Sequence, residues 1–264
     1  MKGSFPFPER APDALSGSAF ARSIWTLPID SEREGRIRQQ VLSGNVPSWM
    51  RQGLAIPIRF GVHYGFFFAA PDYLAVGSDE DNVRVPLDPV TATLIADQVG
   101  ATLPTVEMVN RIWGASAIRL TYNTMPPTDK MTSTKWFVDH NVKVQERIDN
   151  WILSHKSSGY IASGHKKDVV ICKELQDHPD RVAIYGWCRE IHPDNSWSVV
   201  QQLNFTSHSN RYADYSHGIR LISKEMVVNG KMMLVEDVLR DPDLCSMISD
   251  QGVIETPRYN TGEG

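Results

Sequence analysis

The spacing of apolar and polar residues divides the chain into three stretches of different character. From Ser31 to Ser43, Ile37, Val41 and Leu42 recur at helical spacing. Ser31 stands in a capping position, Glu32 and Glu34 suit the first turn, and Gly44-Asn45 ends the pattern. Short β-like runs follow at Leu54–Phe60, Tyr64–Ala69, Tyr73–Val76 and Val83–Val85, separated by Gly, Pro and Asp clusters as in a meander.

The middle stretch reads as helical. Asp88-Pro89 caps and opens a helix with Val90, Leu94, Ile95 and Val99 on one face and Gly100 as its stop. Pro104-Thr105 opens the next, with Val106, Val109, Ile112 and Trp113 turned inward. Pro126-Pro127 makes the segment from Ile118 to Asp129 irregular, and the longest helix spans Ser133 to Ser154. After Ser157-Ser158-Gly159 the pattern returns to strands, at Val169–Cys172, Val182–Trp187, Trp197–Leu203, Ile219–Ile222 and Met226–Leu234. Asn229-Gly230 inside the last run is a two-residue hairpin signal, and a short helix runs from Val235 to Arg240. This order predicts an α+β fold, with antiparallel strands in the N- and C-terminal parts flanking a helical middle. Residues 1–20, rich in Pro, Gly and Ser, read as an extended N-terminal arm; residues 21–264 read as a single α+β domain, with a subdivision near residue 157 left open.

Composition narrows the function classes. Apolar residues make up 41% of the 264 residues and charged residues 22%, ordinary for a soluble globular chain. A formal net charge of −4 with scattered Lys and Arg argues against a nucleic-acid partner. No apolar run reaches the length of a membrane span, and the first residues lack the apolar core of a signal peptide. The chain as written is expected to be cytoplasmic, or secreted or periplasmic if a signal was removed. Cys172, Cys188 and Cys245 form no CxxC pair, so neither a disulfide framework nor a thiolate zinc site is expected.

Candidate chemistry concentrates in two punctuated segments. The first, Ser163-Gly164-His165-Lys166-Lys167-Asp168, runs into Val169-Val170-Ile171; Gly164 permits the tight turn that lets His165 and Asp168 face one pocket. The second runs from His208 through Arg211, Tyr212, Asp214, Ser216 and His217 to Gly218. His140 joins them as a candidate, because it lies on the apolar stripe of the longest helix with Phe137, Val144, Ile148 and Trp151. His165, Asp168, His217 and Ser216 are the candidate catalytic groups. Adjacent residues on a strand point apart, so Ser216 would need a histidine other than His217, such as His165 or His140. His208, Asp214, His217 and His140 are the candidate ligands of a divalent metal such as zinc, which would lower the pKa of a bound water to about 7. Without a metal, the same groups form a base with an orienting carboxylate. Lys166, Lys167, Arg211 and Tyr212 are the candidate substrate-binding residues, the cations suited to an oxyanion or a substrate carboxylate.

Ser216-His217-Gly218-Ile219-Arg220-Leu221 resembles the Ser-His-Gly-Cys-x-Arg motif of YkuD-type LD-transpeptidases, with Ile219 directly after Gly218 where that motif carries its cysteine. The stretch from Ser207-His208 to Ala213-Asp214 resembles the Ser-x-His-x-x-Gly-x-Ala-x-Asp motif of D-Ala-D-Ala metallopeptidases, one residue shorter and without the glycine. Each covers fewer than a dozen residues, and both imply a peptidoglycan-type substrate. The expected function is therefore a hydrolase acting on an amide or related bond, with cell-wall peptide as the indicated class. Two alternatives stay open: a cysteine hydrolase using Cys188, and a non-catalytic glycan- or peptide-binding module built on Tyr185, Trp187, Trp197, Tyr212 and Tyr215.

Overall fold

A computed structural model of the chain describes residues 2–155 and 160–262, so the Ser157-Ser158-Gly159 break and the boundary considered near residue 157 lie outside the described residues. The fold is α+β. In chain order the elements are β1 (Lys2–Ser4), α1 (Gly17–Ser23), α2 (Ser31–Leu42), β2 (Gln52–Phe60), β3 (His63–Ala69), β4 (Ala75–Gly77) and β5 (Asn82–Arg84). Then come α3 (Pro89–Gln98), β6 (Ala101–Thr102), α4 (Val106–Ala115), β7 (Ile118–Arg119), α5 (Thr134–His155), β8 (Ala162–Ser163) and β9 (Lys167–Val169). The chain continues with β10 (Ile184–Ile191), β11 (Trp197–Asn204), β12 (His217–Gly218), β13 (Ile222–Val228), β14 (Lys231–Leu234) and α6 (Val235–Arg240).

Among the described residues two larger sheets organise these elements, beside the two-stranded pairs β4–β5 and β7–β8. In the larger, the order is β1-β2-β3-β13-β14, with β6 paired to β13. β2 and β3 form an antiparallel hairpin in register from Leu54↔Ala69 to Phe60↔His63. β13 returns from the far end of the chain to lie against β3, and it turns into β14 through Asn229 (φ 50°) and Gly230 (φ 80°), the backbone of a type I′ turn. The smaller sheet has the order β11-β10-β9-β12, antiparallel except for the parallel pair β9–β12. One apolar cluster spans the described chain, from Phe5 and Phe7 through Ile56, Phe67 and Val109 to Ile184, Met226 and Tyr259.

Several boundaries differ from the sequence expectation, each for a local reason. The extended arm expected over residues 1–20 is, in its described residues 2–20, docked on the domain: β1 pairs with β2, Phe5 and Phe7 are buried, and α1 begins at Gly17. Asp30 rather than Ser31 caps α2, its Oδ1 accepting from the Glu32 and Arg33 amides at 3.0 and 3.1 Å. The apolar runs Val169–Cys172 and Ile219–Ile222 are buried, yet most of each lies beyond its strand. The ladder is carried instead by the polar residues just before them, Lys167-Asp168 and His217-Gly218. This shift sets polar side chains into the interior beside the core.

Candidate functional site

The two punctuated segments become neighbours. β9 and β12 pair in parallel with His217 opposite Lys167 and Gly218 opposite Asp168, and the Lys167 amide donates to the Ser216 carbonyl at 2.7 Å. The turn into β9 depends on Gly164. At φ 90° its missing Cβ would sit 2.4 Å from the Leu120 carbonyl oxygen and 2.7 Å from the Trp113 ring. Gly218 allows an equally close approach, since a Cβ there would lie 2.6 Å from the Tyr73 ring and 2.7 Å from the Lys166 Cβ.

His165 and Asp168 do not meet each other. They bind the adjacent residues Asp72 and Tyr73, on the segment between β3 and β4. His165 Nε2 lies 3.1 Å from Asp72 Oδ1, and Arg84 donates to Asp72 Oδ2 through Nε (2.9 Å) and Nη2 (2.6 Å). Burial alone would raise the Asp72 carboxyl, but Arg84 and then His165 outweigh it and hold the group well below the usual range. Arg84 is held on its other side as well, because its Nη1 donates to Asn141 (2.9 Å) and Gln145 (3.1 Å) on α5. The Tyr73 hydroxyl donates to Asp168 Oδ2 at 2.8 Å, and the Arg220 guanidinium lies 4.2 Å from the centre of the Tyr73 ring. Burial pushes Asp168 up to about 6, opposed by Arg220 and by the Tyr73 bond. Burial also holds the His165 imidazole down to about 4 despite Asp72, so it is neutral at pH 7.

Lys166, between these two residues, is buried, and its Nζ donates to the Tyr215 carbonyl at 2.5 Å. Burial lowers it to about 7, with Arg84 acting in the same direction and Asp214 and Asp72 opposing. Tyr215 is the centre of a second apolar cluster with Trp136, Phe137 and Trp187. The ring of His140 lies 5.2 Å from that of Tyr215, and burial holds its imidazole well below the ordinary range. Trp187 has φ 66°, an uncommon backbone for a bulky aromatic residue.

On the β12 side, Asp214 is held by its own neighbours. Its Oδ1 accepts from the Ser216 hydroxyl (2.5 Å) and amide (2.7 Å), and its Oδ2 from the Tyr212 hydroxyl (3.3 Å). His217 lies beneath Tyr212, the two rings edge-on at 5.7 Å, while His208 stacks on Tyr212 at 3.9 Å. Burial brings His217 down to about 4, and Asp214 pulls it upward less strongly. The Nζ of Lys167 lies 4.9 Å from the centre of the Trp187 ring.

The structure thus gathers His165, Lys166, Lys167, Asp168, Asp214, Ser216 and His217 around β9–β12, with His140 reaching in from α5 and Tyr212 and His208 outside. It does not gather the four candidate metal ligands into one group. The His208 ring is stacked on Tyr212, which meets His217 edge-on, the Asp214 oxygens are engaged, and among the described residues no three His, Cys, Asp or Glu side chains are placed to hold a metal ion. The Ser216 hydroxyl is bonded to Asp214 and to neither His165 nor His140, so it orients a carboxylate rather than standing as a nucleophile. Arg211 turns away, its exposed guanidinium 3.8 Å from Asp88 at the start of α3. The Cys188 thiol donates to the Glu190 carbonyl at 3.5 Å, and burial pushes it up to about 11, an unreactive state. The aromatic faces of the binding-module alternative are mostly turned inward: Trp197 stacks on Trp113 at 4.4 Å, and Tyr185, Trp187 and Tyr215 are buried.

Asp72, Tyr73, Arg84 and Arg220 belong to the site without being among the candidate site residues, and Trp187 enters the sequence reading only through the binding-module alternative. Pro71-Asp72-Tyr73 carries an acid beside an apolar run, the same signal as Lys167-Asp168, and was the available clue. Comparison with known protein families, curated proteins and solved structures finds no match to this chain.

Proposed function

We propose that the protein is a metal-independent hydrolase of an amide or related bond, with cell-wall peptide as the indicated substrate class and His217 as its general base. One observation carries this reading: five of the six ring nitrogens of His140, His165 and His217 are buried without a partner. Buried polar atoms are nearly always hydrogen-bonded, so a set of neutral imidazoles with unused nitrogens fits a place prepared for substrate and water. His217 takes a proton from water, the resulting hydroxide attacks the carbonyl carbon, and His217 returns the proton to the leaving amine. Asp214, fixed by Ser216 and Tyr212, supplies the negative charge that favours the transient imidazolium. Lys167, beside Asp214 and His217, faces the developing oxyanion. A divalent ion on His208, Asp214 and His217 is the variant of this reading that requires these side chains to rearrange.

The test is amide cleavage of N-acyl dipeptides and muropeptide fragments, followed by mass spectrometry, with and without a chelator. Cleavage by the native protein, unaffected by chelator and reduced at least 100-fold in His217→Gln, is the expected result. Loss of activity with chelator favours the metal variant. Unchanged activity in His217→Gln removes the assignment, and a wild-type protein that cleaves no amide removes the hydrolase.

A further inference from the structure

The groups around Tyr215 are donors with too little to bind. Among the described residues, Lys166 has no carboxylate within ion-pair distance; its one bond is to the neutral Tyr215 carbonyl. A buried ammonium without a counter-ion is costly, and two of its three protons are unspent. The indole Nε1–H of Trp187 is buried without a partner, as are both ring nitrogens of His140. All three side chains flank one residue: the Trp187 and His140 rings lie 6.4 and 5.2 Å from the Tyr215 ring, and Lys166 is on its carbonyl. The backbone at Trp187 and at the preceding Gly186 (φ 104°) is left-handed, and such a conformation persists in a bulky residue only where its surroundings hold it.

We propose that this Tyr215-centred cluster of buried donors recognises a free carboxylate of the substrate, with Lys166 as its counter-ion and Trp187 Nε1 and one His140 N–H as its hydrogen-bond donors. The stoichiometry selects this chemistry. A carboxylate brings one charge for one unpaired cation, and two oxygens for the available donors. A neutral carbonyl would leave Lys166 unpaired, and a phosphate dianion would carry an excess charge into a buried site. The proposal rests on the hydrolase reading in one respect: it makes the substrate a peptide-like acid whose carboxylate lies near the bond presented to His217.

Binding of N-acetyl-Ala-Ala in its four stereochemical forms, each compared with its C-terminal amide, tests it without turnover. The seven tryptophans give indole N–H resonances of which Trp187→Phe identifies one. A free acid of at least one form is expected to bind at least tenfold more tightly than its amide and to move the Trp187 resonance downfield; Lys166→Met should abolish that preference. The other six indole signals report whether each variant is folded, and the acid-to-amide comparison on the native protein needs no variant. Equal binding of acid and amide, no binding of any acid, or a shift confined to other tryptophans overturns the carboxylate recognition. A protein that selects the acid but cleaves no amide keeps that recognition and loses the hydrolase.

Discussion

Removing the Arg84 guanidinium leaves the Asp72 carboxylate buried beside a neutral imidazole, because Arg84 supplies two of the three side-chain bonds that hold it. Breaking a buried pair in this way costs about 3–5 kcal/mol, so Arg84→Met should lower the urea midpoint by that equivalent. A loss below about 1 kcal/mol would mean that water already reaches Asp72. His217 makes a different prediction. Its value of about 4 lies below the ~6.5 of an unfolded histidine. Between those values the unfolded chain binds a proton that the native protein does not, so falling pH favours unfolding; the stability is whole above 6.5 and declines toward 4. Gln cannot take that proton and breaks no side-chain bond, since neither ring nitrogen of His217 has a partner. Wild-type stability relative to His217→Gln should therefore fall by about 1.4 kcal/mol per pH unit across that window. Parallel urea curves of the two proteins at pH 7 and pH 5 would contradict it. The sequence disclosed His217 and His165 through their setting, but not Asp72 or Arg84, because contacts across such separations leave no local periodicity.

At the scale of elements, the helices were legible and the site strands only in part. α3 and α4 follow their caps and apolar faces closely, and α6, which has no side-chain cap, its buried Val235, Val238 and Leu239, since capping and a 3.6-residue period are local properties. β9 and β12 escaped because hydrophobic runs mark what is buried, whereas pairing there falls on Lys167-Asp168 and His217-Gly218. Gly164 was legible as a turn residue, and its environment gives that reading a magnitude. Alanine there combines a left-handed backbone with a Cβ 2.4 Å from the Leu120 carbonyl oxygen. Gly164→Ala should destabilise by more than the ~1 kcal/mol of the backbone preference alone and displace β9 from β12. Calorimetry against the solvent-facing Gly100→Ala, which meets no neighbouring atom, separates the clash from the backbone effect; equal losses in the two variants would discount the clash.

For the molecule as a whole, the α+β arrangement followed from the order of patterns, while the role of the first residues did not. Pro, Gly and Ser suggest an arm, and only the sheet that receives it shows that Lys2–Ser4 is a strand and Phe5 a core residue. Phe5→Ala should cost about 3–5 kcal/mol, the usual range for a buried phenylalanine, and the lowered thermal midpoint would show it. A change within 0.5 kcal/mol would return these residues to the status of an arm. The parallel pairing of β9 with β12 has a temporal meaning as well. Its two strands are separated along the chain by the whole β10–β11 hairpin, so loop-closure entropy opposes their meeting until that hairpin has formed. Local helices and hairpins can be populated within microseconds, but the histidines, lysines and carboxylates assemble only when the distant segments close. The hydrolysis proposed for this centre should consequently be among the last properties recovered on refolding, and the carboxylate proposed to bind there would trap the molecule in its completed state.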